Sequence, residues 1–135
     1  MKPYILLVFF LALQCAAPLP VDTPPLNQGF DLRVGESVRV GTGQTILIRF
    51  LRVTEDSRCP EGAVCIWEGN ARVELQLERE RLLIPPTIAS LNTGVGPRST
   101  DFAGYTIALR RLSPYPRIGE KIDARSYVAG LLVTK

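Results

Sequence analysis

From residue 30 onward, apolar and polar residues alternate with a period of two. Phe30, Leu32 and Val34, then Val38 and Val40, share one face, while Asp31, Arg33, Ser37 and Arg39 take the other. Successive side chains of an extended strand point to opposite sides, so this pattern predicts half-buried strands. Gly35-Glu36 interrupts the run at a bend, and GTGQ at 41–44 reads as a turn. Ile46, Ile48 and Phe50 then share a parity that Leu51 and Val53 abandon, the mark of a β-bulge. Residues 71–77 alternate most cleanly, with Ala71, Val73, Leu75 and Leu77 set against Arg72, Glu74 and Gln76. RER at 79–81 then predicts a turn, with Leu82-Leu83-Ile84 as a returning strand that Pro85-Pro86 stops.

Gly, Pro, Asn and Ser make 87–100 a loop, and 113–125 a second long connection. Between them Tyr105, Ile107 and Leu109 form a strand that slips phase before Leu112, and Tyr127 to Val133 closes the chain. No stretch of this region holds a 3.6 period over two turns. The expected fold is all-β: about seven mostly antiparallel strands over 29–135, in a single β-sandwich or small barrel, because one-sided strands need a second apolar layer.

The first residues follow another rule. Lys2 precedes an apolar run from Tyr4 to Leu13, too short for a stable membrane span and suited to a signal peptide over 1–17. Two endings are open. Cleavage after Ala17 follows small residues, whereas ALQC resembles a bacterial lipobox, with Ala12 and Gln14 departing from it. In the second case Cys15 carries a lipid, and the short leader ending in a cysteine favours that reading. The proline-rich segment 18–28, PLPVDTPPLNQ, is then a tether. The expected location is outside the cytoplasm, lipid-anchored to the envelope, periplasmic or secreted. The only membrane attachment expected is that lipid.

Composition removes several function classes. Hydrophobic residues make up 46 % and charged residues 21 %, a globular balance. Without Lys2 in the leader the 16 basic residues become 15 against 13 acidic, a net of +2, with the signs interleaved. Such a surface offers no electrostatic footprint for nucleic acid. Histidine is absent, so Ser-His-Asp and Cys-His catalysis have no imidazole. No metal or cofactor motif is legible, and a non-enzymatic monomer is expected.

The densest chemistry lies in EDSRCPEGAVCIWEGNARVEL, residues 55–75. In an oxidising compartment Cys59 and Cys65 are expected to form a disulfide, clamping the connection between the strands at 46–53 and 71–77. Pro60 fixes φ, and Gly62 can supply the positive φ of a tight turn. Five intervening residues and no helix start argue against redox use of the pair. Asp56 and Ser57 are expected to cap the turn, Arg58 to pair with an adjacent acid, and Gly69-Asn70 to turn the chain into the next strand. Trp67 is expected to pack against the disulfide in the core, with a sugar-stacking platform as the alternative. Glu55, Asp56, Glu61 and Glu68 raise glycoside chemistry, which needs two carboxylates facing one bond.

DSRCPEGAVCIWEGNARV resembles a signature, DSRCP-x-x-x-x-C-x-W-x-G-x-A-x-V, of small exported bacterial proteins, lipoproteins among them. The match carries Asp56, Ser57, Arg58, Cys59, Pro60, Cys65, Trp67, Gly69, Ala71 and Val73, while Glu68 stands where a small residue is usual. The resemblance implies export and a disulfide and no particular activity. The resulting expectation is a binding or structural envelope domain whose partner is a protein or glycan, with the loops at 87–100 and 113–125 as the partner surface. The alternative is a carbohydrate-binding or carboxylate-based glycan-active protein. A protease inhibitor presenting Arg58 on the disulfide-held loop is a lesser one.

Overall fold

The computed structural model describes residues 23–135, and these contain no helix. The leader 1–17, with Cys15, lies outside the described residues. Eight strands follow in order: β1 (Gly29–Arg33), β2 (Ser37–Val40), β3 (Ile46–Asp56), β4 (Ala71–Arg79), β5 (Thr87–Asn92), β6 (Ser99–Phe102), β7 (Tyr105–Ser113) and β8 (Val128–Thr134). They form two four-stranded antiparallel sheets, ordered β1-β8-β7-β6 and β2-β3-β4-β5.

The alternation sets which face of each sheet is apolar. Leu32, Ile107, Leu109, Leu131 and Val133 of the first sheet and Val40, Ile48, Phe50, Leu75 and Leu91 of the second form one buried cluster. The arrangement is therefore a sandwich with a single core. Burying a side chain of this size contributes about 1.5–3 kcal/mol. Gly35 makes the corner where the chain changes sheets: its φ is 87°, and its N–H donates to the Phe50 carbonyl at 2.7 Å.

Both phase slips are bulges. The β3–β4 register shifts between Phe50 and Arg52 and again between Val53 and Glu55. The β7–β8 register shifts between Leu109 and Arg111.

Two expectations about the middle of the chain fail together. Leu82-Leu83-Ile84 is not a strand but an exposed connection, and the returning strand begins only after the prolines, at Thr87. Proline lacks the N–H that the ladder with β4 requires, so pairing starts where donors resume, with Leu77 opposite Thr87 and Leu75 opposite Ala89. Only 93–98 of the expected loop is loop. Strand β6, a four-residue edge, raises the number from about seven to eight.

The two ends of the sandwich differ. Asn27 donates to the Val133 carbonyl at 2.8 Å, so the first described residues enter beside the end of β8. The start of β8, marked by Val128 opposite Ser113, lies at the other pole. There Tyr127 reaches Asp56 at the end of β3. The stapled connection and the entering chain therefore occupy opposite poles.

Candidate functional site

The base of the stapled connection is built around one cation. Strand β3 ends at Asp56, whose Oδ1 accepts from the Arg58 backbone N–H at 3.3 Å and from its Nε at 2.8 Å. Oδ2 accepts from Arg58 Nη2 at 2.6 Å and from the Tyr127 hydroxyl at 2.9 Å. Arg58 also crosses to the other sheet, donating from Nη1 to the Leu112 carbonyl at 2.7 Å and from Nη2 to the Pro114 carbonyl at 2.9 Å. The Tyr115 ring covers it, 4.9 Å from the guanidinium carbon. The residue is 6 % exposed. A buried guanidinium is tolerable here because each nitrogen has found an oxygen.

The electrostatics follow. Burial pushes the Asp56 carboxyl up, but hydrogen bonds from Arg58 and Tyr127 and the Arg58 charge outweigh it, and the carboxyl titrates below the ordinary aspartate value. Burial and then the Asp56 carboxylate act the other way on Tyr127, whose hydroxyl is pushed up to about 12.

Above the base, a narrow ribbon carries the chain past the end of the sheets. Ser57 N–H donates to the Asn70 carbonyl at 2.7 Å, and Cys59 N–H to the Glu68 carbonyl at 2.9 Å. Gly69, with φ of 73°, sits so close that a Cβ there would collide with the Ser57 carbonyl. Asn70 donates to the Asn92 side chain at 2.8 Å and accepts from the Gly94 N–H at 2.9 Å, which ties in the loop 93–98. The disulfide joins Cys59 to Cys65, with Cα atoms 6.0 Å apart. Inside it Gly62 has φ of 87°, and the Ala63 N–H closes a turn onto the Pro60 carbonyl at 3.0 Å. Glu61 pairs with Arg117 at 3.1 Å, and its N–H donates to the Pro116 carbonyl at 2.8 Å.

The crest of this connection reverses one expectation. Trp67 is not packed in the core: it is 79 % exposed, beside Ile66 at 92 % and Val64 at 103 %. The physical reason is position. Residues 64–67 lie beyond Asp56 and Ala71, where the sheets have ended, and the 114–126 connection meets the loop at Glu61 and leaves these side chains uncovered. Val95 and Ile118, on the two neighbouring loops, are exposed as well. The expectation of Arg58 as a protease bait also fails, because a side chain that is buried and bonded on four sides cannot enter another protein's pocket.

Asp56 caps the turn by accepting from the Arg58 N–H, Arg58 pairs with Asp56, and Gly69 turns the chain at positive φ, whereas the Ser57 hydroxyl bonds across the ribbon to the Asn70 carbonyl at 3.0 Å. Of the four acids, Asp56 and Glu61 are held by arginines, Glu55 lies 3.8 Å from Arg72, and Glu68 is exposed. Beside the crest a polar cavity of about 470 Å³ opens under the 114–126 connection, lined by Glu61, Arg117, Glu120 and Lys121 among others. Sequence reasoning missed Tyr127, Asn92 and the Leu112 and Pro114 carbonyls. Tyr127 carried one signal: a hydroxyl at a core parity must find a partner.

Comparison with family models, with curated proteins and with solved structures returns no match to this chain.

Proposed function

We propose that this chain is an exported, non-enzymatic β-domain, lipid-anchored in the envelope or free outside the cytoplasm, that binds a partner through its stapled pole. The observation that carries this reading is the crest. Val64, Ile66 and Trp67 stand in solvent on a loop fixed by a disulfide, by two ribbon hydrogen bonds and by the Arg58 network. Each forgoes about 1.5–3 kcal/mol available from burial. An aromatic residue with aliphatic neighbours on a rigid support has the composition of an interface centre. The disulfide is compatible with an oxidising compartment, and no helix among the described residues is long and apolar enough to cross a membrane. A tether entering at the opposite pole would aim the crest away from any anchoring surface.

Trp67 is the only tryptophan, so its emission reports the crest directly. Purified peptidoglycan and a soluble envelope-protein fraction are titrated separately into the exported protein. Under this reading one of them shifts the emission to the blue, and V64S/I66S abolishes the shift. An unchanged spectrum with both would overturn it. The exposure of Trp67 also favours the second reading, in which the indole stacks on a sugar face. In that case a glycan array gives a hit that Trp67→Ala loses and Val64→Ser retains.

A further inference from the structure

A second site lies on the flank of the same pole, away from the crest. Below Tyr115, a cavity of about 210 Å³ is lined by Arg58, Arg98, Arg110 and Arg111, with Leu109 and Leu112 also in its wall. No carboxylate lines it. Arg58 and Arg111 are neutralised from outside the cavity, by Asp56 and Asp31. Arg98 and Arg110 form no ion pair among the described residues.

The β7 bulge creates this arrangement. It inserts Arg110 between Leu109 and Arg111, so that two successive arginines border one cavity instead of alternating across the sheet. A larger hollow of about 620 Å³ on the outer face of the first sheet also meets Arg110 and Arg111. A guanidinium has five N–H groups. Arg58 spends four of them, on Asp56 twice and on the Leu112 and Pro114 carbonyls. One Nη1 N–H, on a side chain 5 % exposed, has no acceptor among the described residues, and Arg58 forms part of the cavity wall.

We propose that this cavity binds a small organic carboxylate with an apolar body. The carboxylate would accept from Arg98, Arg110 and the unspent Arg58 N–H. The body would lie against Leu109, Leu112 and the Tyr115 ring. Charge-assisted hydrogen bonds supply the affinity, and the small volume excludes a folded partner. The site is independent of the crest: loss of one leaves the other intact.

Benzoate is the probe, with benzyl alcohol as its neutral analogue and inorganic sulfate as an anion without an apolar body. The readout is the NMR shift of the Arg110 and Tyr115 amides in the exported protein. Benzoate should give saturable shifts confined to the residues lining the cavity, with benzyl alcohol and sulfate each weaker by about tenfold or more. The exposed pair R98A/R110A should keep its melting temperature and lose benzoate affinity by about tenfold or more, while V64S/I66S binds benzoate as the parent does. Non-saturable shifts, equal binding of sulfate and benzoate, or undiminished affinity in R98A/R110A would each overturn the assignment.

Discussion

Arg58 at the base of the stapled connection and Trp67 at its crest are nine residues apart, and their environments are inverted: the cation is buried, and the indole stands in water. At the base, the ends of β3 and β7 meet the start of β8, and the Leu112 and Pro114 carbonyls and the Asp56 carboxylate take their donors from one multivalent cation, with the Tyr127 hydroxyl as a further donor to Asp56. The crest projects past the last rung of both sheets, so nothing faces it. Burial here follows the supply of partners rather than side-chain polarity. A third region sharpens the contrast. Leu82 and Leu83 are also exposed, but that connection carries no disulfide. Exposure on a clamped loop presents a surface of fixed shape.

The comparison breaks first at Arg58. Arg58→Ala removes the cation from a half-buried carboxylate and two carbonyls, and should cost about 3 kcal/mol in urea unfolding, the low end of the range for breaking a buried pair, because Asp56 keeps some contact with solvent. A loss well under 1 kcal/mol would mean that the base is not held by this residue. Next comes the staple. Cys59→Ser/Cys65→Ser should lower stability by about 2 kcal/mol on the chain-entropy estimate for so short a loop. Hydrogen exchange should rise at 61–67 while the core strands keep their protection.

Tyr127→Phe tests the third tie and should cost about 1.5 kcal/mol, the low end of the range for a hydrogen bond to a charged group. Linked to it is a pH dependence at each end of the scale. Asp56 titrates below its ordinary value in the folded chain, so its contribution is complete above about pH 3.9, the unfolded value, and is lost as pH falls through the folded one. Tyr127 is raised to about 12, so its contribution is complete below the unfolded value of about 10 and is lost as pH rises toward 12. Urea midpoints against pH should show both flanks in the parent, and Asp56→Asn should remove the acid flank due to this group.

The smallest effect belongs to the crest. Val64→Ser, Ile66→Ser and Trp67→Ala should each change stability by no more than about 0.5 kcal/mol, as exposed substitutions do. A loss above 1 kcal/mol at Trp67 would erase the distinction between base and crest.

Much of the fold was legible because alternation is local. The 71–77 pattern fixes which face of β4 is apolar, and the parity breaks at Leu51 and before Leu112 mark the bulges. The pairing of Arg58 with Asp56 was legible for the same reason, since the two are separated by one residue. Strand β5 was not, because only Ala89 and Leu91 carry its parity and prolines precede it. The arginine cavity was hidden as well: Arg98 and Arg110 are twelve residues apart and meet only because β6 pairs with β7.

The sequence by itself determined the all-β class, the place of the staple and the local chemistry of its base, since each depends on residues within a few positions of one another. Tertiary structure decided that Arg58 would bond across to the other sheet, that Trp67 would have no layer above it, and that Arg98 and Arg110 would share a cavity. Those outcomes depend on where the strands end relative to one another in space, and no local pattern of side chains encodes that distance.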